Sequence, residues 1–90
     1  MLFRSTVSVA GHEIVTTPTE YRLLCLLAER VNQVVSVKEL TEAVWGYHDS
    51  SVEASLRVHL RRLRLKLKAA PARSPDLLVL RGFGYRLAWD

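Results

Sequence analysis

Residues 50–68, SSVEASLRVHLRRLRLKLK, decide how the rest of the chain is read. Wound as an α-helix at about 3.6 residues per turn, this stretch divides into two faces. Val52, Leu56, Leu60, Leu63 and Leu67 recur at the three- and four-residue spacing of a single apolar stripe, which predicts a helix anchored to a core. Opposite the stripe lie Ala54, Val58, Arg61 and Arg62, with Ser55 on one shoulder and Arg57, Arg64 and Lys68 on the other. No aspartate or glutamate occurs from Ala54 to Pro75. A helix that is leucine inward and cationic outward fits a polyanionic partner.

The charge distribution extends that reading. From Met1 to Glu53, four basic residues stand against seven acidic ones, a net of −3; from Ala54 to Trp89, nine basic residues stand against Asp76 alone, a net of +8. Such asymmetry points to nucleic acid or an anionic membrane surface. A merely solvated helix face is the bland alternative, but solvated faces normally mix signs. No apolar run approaches the length of a signal peptide core or a membrane span, so no membrane partner is expected. Ninety residues suffice for one small domain, burying about two-thirds of its unfolded surface. The single cysteine, Cys25, excludes an internal disulfide and fits a reducing, cytoplasmic location.

Taken in order, residues 1–16 read as a β-hairpin, with Phe3, Val7 and Val9 on one side, a turn at Ala10-Gly11-His12, and a return through Thr16. Three helices are expected within residues 17–70. Thr17-Pro18-Thr19-Glu20 is a capping box with proline at the first helical position. Its helix runs to about Val31, burying Leu23, Leu24, Leu27, Ala28 and Val31, and Asn32 closes it in a left-handed conformation. Ser36-Val37-Lys38-Glu39 opens a shorter helix with Val37, Leu40, Ala43 and Val44 toward the core, ending at Trp45-Gly46. Ser50-Ser51-Val52-Glu53 is a third box and opens the basic helix, which Pro71 stops. Residues 77–89 form a second hairpin, turning at Gly82-Phe83-Gly84, with Tyr85, Leu87 and Trp89 facing one way. The fold class is therefore α+β, a winged helix-turn-helix with a short N-terminal antiparallel sheet, three helices and a C-terminal β-hairpin wing, in one domain over residues 1–90.

Three segments in this order carry a family likeness: TPTEYRLLCLLAE (Thr17–Glu29), VVSVKELTEAVWG (Val34–Gly46), and VHLRRLRLKL (Val58–Leu67) followed by VLRGFGYRL (Val79–Leu87). The chain resembles the effector domain of OmpR/PhoB-type response regulators, the winged helix-turn-helix transcription factors of bacterial two-component systems. The resemblance implies double-stranded DNA as partner, with a recognition helix at about Ser51–Lys68 in the major groove and the wing in the adjacent minor groove. It implies major-groove contacts at Ser55, Val58, Arg61 and Arg62, phosphate contacts near Arg57, Arg64 and the wing, and a minor-groove contact at Arg81; by their charge, Lys68 at the end of the basic helix and Arg86 in the wing are expected at phosphates as well. The loop holding Tyr47, His48 and Asp49 matches the one with which some members touch RNA polymerase, and members commonly bind direct repeats as head-to-tail dimers. No cofactor is implied. The sequence departs from the family at Arg57, where an acidic residue is frequent, and at Leu65, where a basic one is usual; the leading sheet is shorter than the usual four strands. The phosphorylatable receiver domain has no counterpart in these residues, which fits an excised effector domain or a stand-alone regulator.

The residue chemistry agrees. A planar guanidinium donates two hydrogen bonds to guanine O6 and N7, so Arg62 is the first candidate base reader, with Arg61 divided between base and phosphate. Val58 suits a thymine methyl, Ser55 a base or a phosphate, and Arg81 a narrow A·T-rich minor groove. The bland alternative for Arg61 and Arg62 is that they only neutralise the backbone, since most protein–DNA hydrogen bonds carry no sequence information; for Arg81 it is a solvent-exposed charge at a strand end. His59 flanks the core stripe as a packed or phosphate-facing residue, and His12, His48 and His59 share no metal-ligand spacing. A protein-interaction module using the Trp45–Ser51 loop and Leu65 is the second functional class. An enzyme is the third, and no nucleophile with a base, carboxylate pair or metal cluster supports it.

Overall fold

In the computed structural model, the described residues are 5–9, 11–70 and 73–89. Phe3, Ala10 and Pro71, with the strand position, turn and helix stop expected there, lie outside the described residues. Strands β1 (Ser5–Val9) and β2 (His12–Thr16) pair antiparallel, with His12 already in the strand opposite Val9. Ile14 and Thr16 turn inward while Glu13 and Val15 face solvent, the period-2 pattern of a half-buried strand.

Helix α1 (Pro18–Glu29) begins at the expected capping box: Glu20 N donates to Thr17 Oγ1 at 3.1 Å, and Thr17 N donates to Glu20 Oε1 at 3.0 Å. Leu23, Leu24 and Leu27 are buried. The helix stops at Glu29, about one half-turn early, so Val31 falls in the following turn and stays exposed, as does Ala28. Asn32 takes φ 65°. Its backbone N donates to Leu87 O at 2.8 Å and its side chain exchanges hydrogen bonds with the Trp89 backbone, which ties this turn to the C-terminal hairpin.

A three-residue strand, β3 (Val34–Ser36), follows without any expectation from the sequence. Three residues are too few for an alternation to register; the strand exists because β5 pairs with it. Helices α2 (Val37–Trp45) and α3 (Ser50–Lys68) come next, then β4 (Asp76–Leu80) and β5 (Gly84–Ala88), giving an antiparallel sheet of order β3-β5-β4. The wing is thus the free end of a three-stranded sheet rather than a separate hairpin, and that sheet holds the start of α2.

Both later capping boxes differ from expectation. Ser36 accepts from Glu39 N at 3.1 Å, but Ser36 is also the last residue of β3, and the Glu39 carboxylate bonds its hydroxyl and Arg30 instead of its backbone. Asp49, not Ser50, caps α3: its Oδ1 accepts from Val52 N at 2.8 Å. Gly46 closes α2 at φ 86°, a conformation glycine adopts cheaply. Leu40 is fully buried between the helices, while Val37 and Val44 pack against the core edge and Ala43 is half-buried. Thr41, fully buried, satisfies its hydroxyl against Val37 O, Lys38 O and His48 Nδ1.

The α3 stripe is the centre of the core. Val52, Leu56, Leu60, Leu63 and Leu67 are all at most 3% exposed; the four leucines pack with Leu23 and Leu27 of α1, Leu40 of α2, and Leu77, Tyr85 and Leu87 of the sheet. Trp89 lies past the end of β5, with the Arg73 guanidinium 5.3 Å over its ring. Among the described residues, no helix is long and apolar enough to cross a membrane.

Gly84 has a role beyond the turn. At φ 154° it brings β5 so close to β3 that a Cβ would stand 2.1 Å from Val35 O and 2.8 Å from Ser36 Cα. Those contacts are backbone and cannot swing aside. Gly84→Ala is therefore expected to lower unfolding free energy by about 1–3 kcal/mol, read from denaturant unfolding. An unchanged midpoint would contradict this account of the β3–β5 seam.

Candidate nucleic-acid interface

The wing rises beside α3 and leaves an open groove of about 930 Å³ between them. Arg57, Arg61 and Arg64, three to four residues apart on α3, line it together with Glu53 of the same helix; Val79, Arg81 and Phe83 line it from the wing, and Lys38 from α2. Leu60, Leu77 and Tyr85, all buried, also border it. Burial pushes the Tyr85 phenol above its ordinary value, while nearby Arg57 pulls the other way.

Around the helix from this groove, Ala54, Ser55, Val58 and Arg62 are exposed, as the helical spacing predicted. Among the described residues, no carboxylate lies in ion-pair contact with Arg61, Arg62, Arg64, Lys68 or Arg81. Two other cations are compensated. Arg57 Nη2 sits 2.9 Å from Glu53 Oε1, one turn back on α3. Lys66 Nζ reaches across to Glu20 Oε1 at 2.5 Å, and that carboxylate is 1% exposed. The cationic face is thus narrower than the charge count along the chain suggests. Nothing in the sequence links residues 46 positions apart, so the Glu20–Lys66 pair was invisible there.

Arg86, expected near phosphate, is not brought to this groove. It follows Tyr85 in β5 and so points to the opposite side of the sheet, where it is half-buried. Lys38 and Tyr85 were missed because each joins the site only through the β3–β5 pairing. His59 is half-buried with its ring centroid 5.9 Å from that of Trp45, and is packed rather than displayed. In the loop after α2, Tyr47 projects to solvent, His48 is held by Thr41, and Asp49 caps α3. Leu65 is 60% exposed near the C-terminal end of the outer face. Among the described residues, no group of His, Cys, Asp or Glu is gathered to hold a metal ion.

Residues 11–87 match the family described as "Transcriptional regulatory protein, C terminal". The chain belongs to that family. It is a winged helix-turn-helix DNA-binding effector domain of the OmpR/PhoB type, which is not a catalytic family. A probable transcriptional regulatory protein of Picosynechococcus sp. is 41% identical over 80 residues, covering 89% of this chain and 32% of that protein. The DNA-binding domain of CpxR from E. coli is 34% identical and superposes with a TM-score of 0.77 over 92% of this chain and 81% of the other. The AdeR DNA-binding domain, solved in complex with an intercistronic region, is 25% identical with a TM-score of 0.77 over 92% and 84%. The chain spans about a third of the length of the curated relatives it matches.

Lys66 of this OmpR/PhoB-type domain should serve stability more than binding. Lys66→Ala leaves a buried carboxylate without its cation. A loss of about 2 kcal/mol is expected, below the cost at fully buried pairs because the ammonium is partly open to water. Adding Glu20→Gln, which keeps the cap acceptor, should restore much of it. Equal stability of Lys66→Ala and the parent chain in thermal unfolding would contradict the pairing.

Proposed function

We propose that this chain recognises specific sequences in double-stranded DNA, as the effector part of a transcriptional regulator, with α3 in the major groove and Arg81 of the wing in the neighbouring minor groove. One observation carries the reading: Arg61, Arg64 and Arg81, without acidic partners among the described residues, border the same open groove from two elements. Family membership supports it, as does the complex of the AdeR domain with DNA of an intercistronic region. At about 1.5 Å per residue, α3 is long enough to lie along a groove that admits one helix.

Within that pose, Arg62 reads guanine through its paired donors and Val58 packs on a thymine methyl. Ser55 and Arg61 each reach a base edge or a phosphate, and Arg64 and Lys68 bind phosphate. Arg57 joins them by exchanging Glu53 for a phosphate; its side chain is 67% exposed, and an ion pair that open to water holds only weakly. Affinity should then fall steeply with salt as counterions are released, whereas an apolar protein partner would be held through the same titration.

The roles separate by mutation. Arg62→Ala is expected to cost about 1–3 kcal/mol on a preferred site and to relax the preference at one base pair, while Lys68→Ala weakens all sequences alike. Competition binding with cognate and scrambled duplexes measures both. Equal losses on the two duplexes for Arg62→Ala would contradict its role as a reader.

A further inference from the structure

Phe83 is the most exposed large apolar side chain among the described residues, at 73%, and it stands at the tip of the wing. It is presented stiffly. Phe83 N donates to Leu80 O at 2.9 Å, Gly82 before it turns at φ 82°, and Gly84 after it is wedged against the β3 backbone. With the backbone of the turn already held, the chain itself need not be ordered when the ring is buried. It also lines the α3–wing groove, two residues from Arg81 and together with the arginines of α3.

From this placement we infer that Phe83 is an uncharged DNA contact, packing its ring on the deoxyribose wall of the minor groove that receives Arg81. The inference rests on the DNA-binding reading above. Its chemistry follows from what each part of the groove offers. Phosphates have nothing to give a phenyl ring, and the groove floor offers acceptors that suit the guanidinium. The walls are rows of sugar C–H groups, apolar and spaced along the backbone. An arginine on the floor and a ring on the wall divide the tip between an electrostatic and an apolar term. The two terms differ in salt dependence, because burying a phenyl ring releases no counterions.

The test uses the full chain and a duplex recovered by selection from a random pool, titrated over a range of salt. Phe83→Ala should weaken binding about tenfold without changing the slope of log K against log salt, and Phe83→Leu should keep most of the affinity. Arg81→Ala should instead reduce that slope by about one. Hydroxyl-radical footprinting supplies a second readout, since the radical attacks the sugars the ring would shield. Phe83→Ala should lose protection at the minor groove flanking the half-site and keep it elsewhere. The thermal midpoint should not move, because the ring leaves no cavity. Unchanged affinity, an altered salt slope or unchanged protection would each overturn the role of Phe83. If the parent chain itself retains no duplex at low salt, the DNA-binding reading falls first and this inference falls with it.

Discussion

The aliphatic stripe of α3 is the constraint on which everything else depends. Four leucines and a valine on one side of a single helix give it only one comfortable seat, with Leu23 and Leu27 behind it and Leu77, Tyr85 and Leu87 beside it. Each side chain taken fully out of water contributes roughly 1.5–3 kcal/mol, so rotating the helix about its axis is prohibitive. That fixed rotation turns Ser55, Val58, Arg61, Arg62, Arg64 and Lys68 outward together. The display of positive charge is thus a consequence of core packing, and the cations need no attractive partner within the fold.

Two carboxylates then trim the display. Glu20 holds Lys66 against α1, and Glu53 covers Arg57. These pairs differ in kind. Glu20 is buried and already part of the α1 cap, so its bond to Lys66 joins the first helix to the last and is a matter of folding. Glu53 and Arg57 meet at the surface, where water competes with the bond and a stronger anion can replace one partner. The sheet completes the arrangement. Through Gly84 it packs β5 on β3, which ends at Ser36, the residue that caps α2.

Much of this was legible in the chain. The α3 stripe, the Thr17 box, the glycine stop at Gly46 and the turn at Gly82 are local patterns of spacing and backbone chemistry, and each was read from neighbouring residues. What escaped was long-range. Strand β3 is defined by its partner 50 residues away, and the Glu20–Lys66 pair spans two helices. The third capping box failed for a different reason. Asp49, Ser50 and Ser51 all suit a helix N-terminus, and adjacent candidates cannot be ranked from composition. The candidate site was correspondingly clear on α3 and incomplete opposite it, where Lys38 of α2 and Tyr85 and Phe83 of the C-terminal hairpin converge only after folding.

Core packing of α3, as we propose, presents a base-reading surface and not merely a cationic one. Selection of bound duplexes from a random pool at near-physiological salt tests it most directly. A short motif with a guanine adjoining a thymine, flanked by an A·T-rich segment where the wing reaches, should be enriched. Retention of duplexes with no sequence enriched over the input pool would contradict it.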